Sequence, residues 1–128
     1  MTEDEKFVRD HWEVHVSWGR TFPGHSTPTF HLKLPVIWHD GLNVMFAQSA
    51  EKAWSAAAEF TRERLEQIRQ IEEEYVVLGA NQIRAWREAG LCSDWSEGRT
   101  FFFVEWVRIA RTMSRLESIL AGLKRGMK

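Results

Sequence analysis

Along residues 11–18 the apolar side chains Trp12, Val14, Val16 and Trp18 alternate with His11, Glu13, His15 and Ser17. A period of two marks a strand with one face in a core and the other in water, so a first strand is predicted here. The alternation resumes at 30–34, where Phe30, Leu32 and Leu34 oppose His31 and Lys33, and a second strand is placed at 29–38. Pro35 has no N–H for a ladder and marks an edge, a bulge or the strand's end. The apolar run Val36, Ile37, Trp38 then meets His39-Asp40-Gly41, and Asp-Gly suits the two-residue turn that hairpins favour. Leu42, Val44 and Phe46 are read as the apolar side of a third strand at 42–47. The intervening segment GRTFPGHSTPT (19–29) holds two glycines and two prolines and is expected to be a loop, whose length makes it a candidate binding loop or simply a mobile one.

From residue 49 the period changes to that of a helix. Ser49 is a good N-cap, and Glu51 sits favourably for the helix dipole. Trp54, Ala57, Ala58, Phe60, Leu65, Ile68, Ile71, Tyr75, Val76 and Leu78 share one broad face, while Lys52, Glu59, Glu63, Glu66, Gln70 and Glu73 lie opposite. A long helix is therefore predicted over 49–78, stopped by Gly79. Asn81 starts a short helix at 82–89 that Gly90 closes, and 91–99 is turn-like. Phe102, Trp106, Ile109, Met113, Leu116, Leu120 and Leu123 step by alternating fours and threes, a heptad seam that predicts a last helix over 100–125. FFFV at 101–104 suits a strand by composition, but the seam runs through it.

The fold class is α+β: a three-stranded antiparallel meander followed by a long, a short and a long helix, in a single domain spanning 1–128. Residues 1–8 are expected to be a flexible polar tail. A thirty-residue helix measures roughly 45 Å, against about 36 Å for the diameter of a spherical domain of this size. The long helix is thus expected to bend, to belong to an elongated molecule, or to pack on a partner.

Composition narrows the class without naming a function. Apolar residues make up 44% and charged residues 27% of 128, which is ordinary for a globular protein. No apolar run approaches the roughly 18 residues that span a bilayer. MTEDEK lacks the basic and then apolar layout of a signal peptide, so a cytoplasmic protein without membrane contact is expected. The single cysteine, Cys92, fits a reducing compartment and is read as a buried or half-buried thiol. Net charge is −1, yet residues 91–128 carry seven basic against four acidic side chains. That imbalance falls short of the basic patch of a typical nucleic-acid binder. Seven tryptophans and an excess of arginine over lysine are the stronger bias, because Trp and Arg are enriched at binding hot spots, although most of the rings fall on predicted core faces and core packing accounts for them first.

Candidate chemistry is sparse. All five histidines lie in the first third of the chain, and His11, Glu13, His15 and His31 would share the solvent face of the first two strands. Glu13 and one neighbouring histidine are close enough to share a metal, but His11 and His15, about 13 Å apart on a straight strand, are not. A plain solvated face that happens to contain imidazoles is the favoured reading, with a divalent-metal or pH-sensing site as the alternative. Glu72 falls inside the apolar stripe of the long helix as a buried charge, where it needs a partner such as an arginine of the last helix. Arg108, Arg111 and Arg115 line one side of the last helix, with Arg99 near its start, as a candidate interaction face. No G-x-S-x-G, H-E-x-x-H, P-loop or G-x-G-x-x-G occurs, so no enzyme and no cofactor is expected.

The order strand–strand–strand–helix, with the alanine-rich first turn AQSAEKAWSAAAEF, resembles the meanders of HicB-like and double-stranded-RNA-binding domains. The likeness is of topology, covers fewer than half the residues, and implies no function. The expected function is protein–protein binding by a small non-catalytic protein, a regulator or inhibitor of the accessory type that phages and mobile elements carry. Its partner is another protein or a second copy in a homodimer. A nucleic-acid-binding regulator using the arginine face comes second, and a metal-dependent enzyme on the histidine-rich face third.

Overall fold

The computed structural model describes residues 1–19, 27–91 and 97–128, with the backbone alone for Leu91 and 97–99. The elements are α1 (Glu3–His11), β1 (His15–Gly19), β2 (Thr29–Lys33), β3 (Val44–Ala47), α2 (Ala50–Leu91) and α3 (Glu97–Lys124). The α+β class, the antiparallel order β1-β2-β3 and the two long helices after it are as expected. The chain divides into two compact units, one of Met1–Glu66 with Lys124–Lys128 and one of Gln67–Leu123.

In the first unit, the segment expected as a tail is a helix. Thr2 and Glu5 have the T-x-x-E spacing of a capping box, and the Thr2 side chain accepts from the Glu5 N–H at 3.1 Å. Glu3, Asp4 and Glu5 crowd the first turn, where the helix dipole favours negative charge. Val8 is fully buried, which anchors the helix. It consumes His11, and buried Trp12 forms an isolated bridge to Met127 while Lys128 N–H donates to the His11 carbonyl at 2.9 Å. The first strand therefore begins at His15 instead of residue 11.

Pairing places His15 opposite Lys33, Trp18 opposite Phe30 and Leu32 opposite Met45. The inward residues of β3 are Met45 and Ala47, so Val44 and Phe46 face outward, opposite to expectation. Val44-Met45-Phe46-Ala47 is apolar throughout and carries no alternation, so pairing with buried Phe30 and Leu32 decides the face. Beyond Lys33 the second strand leaves the ladder. Five residues on its side, Pro35 among them, oppose Asn43 before His39 and Leu42 pair again. Asp40 (φ 47°) and Gly41 (φ 74°) then form the Asp-Gly turn, closed by Leu42 N–H to His39 O at 2.8 Å.

Phe30, Leu32, Leu34 and Ala47 meet Val8 and Trp12 of the N-terminal segment and Ala53, Trp54, Ala57 and Ala58 of α2 in one core. Ser49 caps α2 as predicted, accepting from Lys52 N–H at 3.3 Å. The small residues at 53, 57 and 58 admit the large rings, and Trp54 lies 6.3 Å from Phe30. One polar chain crosses this core: Trp12 Nε1–H donates to Thr61 Oγ1 (2.9 Å), which donates to the Ala57 carbonyl (2.7 Å). At the C-terminal end Gly126 (φ 80°) ends the helical path, with Met127 N–H on Lys124 O at 3.0 Å.

In the second unit α2 runs on through Gly79 and Gly90, so the predicted break and separate helix at 82–89 are one continuous element. Neither glycine adopts the left-handed conformation of a helix stop. The reason is the seam. Tyr75 meets Glu117, Gly79 meets Met113 and Trp86 meets Trp106, so each step forward on α2 is matched by an equal step back on α3. Ile68, Ala85 and Ala89 of α2 are buried, as are Ile109 and Leu116 of α3. The seven heptad positions of α3 are all buried or half-buried, and 101–104 is helix. Among the described residues no helix is long and apolar enough to cross a membrane.

Two stability predictions follow from these contacts. Thr61→Val strands the buried indole N–H and is expected to cost about 1–3 kcal/mol in urea unfolding. Trp12→Phe should then cost less in the Thr61→Val background than in the wild type; equal costs in both would show the bond contributes nothing. A Cβ at Gly79 would lie at an ordinary 3.6 Å from Met113. Gly79→Ala should accordingly stabilise the helix by up to about 1 kcal/mol, read as a raised unfolding midpoint.

Candidate interaction surfaces

The four candidate metal ligands are not brought together. His11 ends α1, with Nδ1 2.8 Å from the Phe7 carbonyl. Glu13 lies between α1 and β1, and its carboxylate is 4.0 Å from Lys128 Nζ. Only His15 and His31 share the outer face of the sheet, because the strand that was to carry all of them starts four residues late. Among the described residues no group of three His, Cys, Asp or Glu side chains could hold a metal. Cys92, His25 and most of the 19–29 loop lie outside the described residues.

Glu72 is exposed, not buried. The seam on α2 passes through Ile68, Ile71 and Tyr75, which leaves residue 72 on its outer shoulder. Next to it Arg69 and Glu73 form an ion pair one turn apart on the surface. A described polar link between the two helices is instead Tyr75 Oη–H to Glu117 Oε1 at 2.5 Å. The carboxylate that accepts this bond, with partial desolvation and its negative charge adding to the effect, raises the phenol above its ordinary value near 10.

Arg108, Arg111 and Arg115 are all exposed, on the side of α3 away from the seam. With Phe103, Val104 and Val107 they line a hollow of about 560 Å³. Glu105 comes within 4.0 Å of Arg108, and Arg111 and Arg115 have no ion-pair partner among the described residues. Arg99 belongs to α3 by its backbone; its side chain lies outside the described residues.

A second hollow, of about 450 Å³, opens beside the first and shares Phe103 with it. Its walls are Gln82, Ile83 and Trp86 from α2 with Phe103 and Trp106 from α3. Ile83 is 62%, Trp86 59% and Phe103 41% exposed. The rings pack on one another, with Trp86 5.8 Å and Phe103 6.1 Å from Trp106. Sequence reasoning placed Trp106 on the heptad seam and Trp86 only within the short helix expected at 82–89. The signal it passed over is FFFV itself: four consecutive apolar residues cannot all face one seam at 100° per residue, so some must face outward. Comparison with protein-family models, with curated proteins and with solved structures returns no match.

Tyr75 is the protein's one tyrosine, so its ionisation is read without ambiguity by ultraviolet absorbance. The midpoint is expected above 10 in the wild type and nearer 10 in Glu117→Ala. Because the folded value is the raised one, this contact stabilises the fold below the unfolded pKa and is lost as pH climbs through the folded one. An unchanged midpoint in Glu117→Ala would disprove the assignment.

Proposed function

We propose that this protein acts without chemistry of its own, by binding another protein through the helical hairpin of residues 67–123. The observation that carries this reading is the cluster of Ile83, Trp86, Phe103 and Trp106, a large exposed apolar surface bordered by Arg108, Arg111 and Arg115. Contiguous exposed apolar surface is costly in water unless something covers it. Aromatic and arginine side chains are also the types that dominate binding energy at interfaces. The occupant that complements both parts is an amphipathic helix, apolar along one stripe and carrying carboxylates at its edge. Apolar residues fill the aromatic hollow, and the carboxylates pair with the guanidinium groups, bidentately where geometry allows. A regulator or inhibitor of a cytoplasmic partner is the role such a surface serves.

The second reading, a nucleic-acid binder, draws on Arg111 and Arg115, which have no acidic counterpart among the described residues. It leaves the apolar hollow unused, since phosphate contacts need no large uncovered aromatic surface.

The test is capture from the native host with tagged wild type, Trp86→Ser/Phe103→Ser and Arg108→Glu/Arg111→Glu/Arg115→Glu, each checked for helicity by circular dichroism. A specific protein should be recovered with the wild type and fall at least about tenfold with either variant, the loss expected when a hot spot is removed. Equal recovery with all three would refute the proposal. Recovery of nucleic acid alone, weakening steeply with salt, would favour the second reading, and a 30 kDa particle in light scattering abolished by Trp86→Ser/Phe103→Ser would make the occupant a second copy of this 15.0 kDa chain.

A further inference from the structure

The outer face of the sheet combines features that the binding hairpin does not use. Its outward residues are His15, Ser17 and Gly19 on β1, Thr29, His31 and Lys33 on β2, and Val44 and Phe46 on β3. His15 lies directly opposite Lys33, and Ser17 directly opposite His31. Cross-strand partners of this kind hold their Cβ atoms about 5 Å apart. Together with Asn43, the side chains of all three strands line a recess of about 370 Å³. Two imidazoles, one ammonium and one hydroxyl therefore converge there, and none of the three strands contains a carboxylate. The acids nearest in sequence are engaged elsewhere: Glu13 near Lys128 at 4.0 Å, and Asp40 near His39 at 3.2 Å.

A face that was merely solvated would leave its histidines free to turn, yet His31 is held on three sides. Its Nε2 lies 2.9 Å from Thr29 Oγ1, and that hydroxyl donates to the Gly19 carbonyl at 3.1 Å. The ring stands at 83° to that of Phe46, 4.7 Å between centroids. It also lies over Gly19, where an added Cβ would come within 3.1 Å of the ring.

We propose that this recess is a binding site for a tetrahedral oxyanion, a phosphate or sulfate group, held by Lys33, His15 and His31 with Ser17 as a neutral donor. Each is a donor suited to such oxygens, and charge-assisted bonds of this type are the strong ones. Phe46, 42% exposed beside His31, offers an apolar surface to an organic group attached to the anion.

The probe is inorganic sulfate, with the histidine ring resonances followed by NMR. Sulfate is expected to shift the His15 and His31 rings saturably. Lys33→Ala and His15→Ala, both at exposed positions, should each weaken binding at least about tenfold, the loss of one charged hydrogen bond, while leaving the thermal unfolding midpoint in place. Absence of a saturable shift, or undiminished binding in Lys33→Ala, would each overturn the assignment. Phenyl phosphate against inorganic phosphate separates the two sources of the anion. Tighter binding of the ester, with the margin lost in Phe46→Ala, identifies an organic ester, and equal affinities identify the free ion.

Discussion

One layer packed on another buries only the surfaces that face each other, and both units of this protein are built from a single such contact. In the first, α1 and the opening turns of α2 cover the face of the sheet that carries Phe30, Leu32 and Leu34, which leaves the opposite face to His15, His31 and Lys33. In the second, two helices share one seam, and apolar residues that lie off it stay largely exposed. Ile83, Trp86 and Phe103 are the result. The candidate surfaces are thus the uncovered complements of the two cores.

The same contrast sorts the arginines. In the first unit Arg9 lies over Trp54 at 5.1 Å, Arg62 over Phe7 at 5.4 Å and Arg64 over Phe60 at 5.0 Å. Each shields a ring at the edge of the core, an interaction worth about 0.5–1 kcal/mol at exposed sites. Arg62 also reaches Asp4 at 3.2 Å, tying α1 to α2. These arginines are part of the fold. Among the described residues Arg108, Arg111 and Arg115 cover no ring of that kind, and they line a hollow of their own. Counting arginines could not separate the two groups; their neighbours do.

Much of the architecture was legible wherever local chemistry and burial point the same way. Phe30 and Leu32 alternate with His31 and Lys33, Asp40-Gly41 supplies two residues that tolerate positive φ, Ser49 caps, and the α3 seam keeps its period for seven positions. The failures occur where two signals compete. The acidic start of the chain reads as a tail unless the Thr2 to Glu5 spacing is taken as a cap. Val44-Met45-Phe46-Ala47 has no polar residue to choose a face, so a non-local pairing chooses it. Gly79 is a helix stop by local propensity, but a penalty of about 1 kcal/mol yields to packing along α3. The candidate site was legible only in part. The arginine row follows from spacing on one helix, whereas the aromatic hollow needs residues from two helices in a register that only the fold reveals.

The central claim is that the stripe through Ile83 is covered by a partner. A photo-activatable cross-linking residue at position 83 tests this directly, with position 74 as control. The two lie nine residues apart, on opposite sides of the same helix. Cells expressing each form, illuminated and analysed by mass spectrometry, should yield a discrete protein adduct from position 83 and none from position 74. Adducts absent from position 83, or equally abundant from both, would contradict the account.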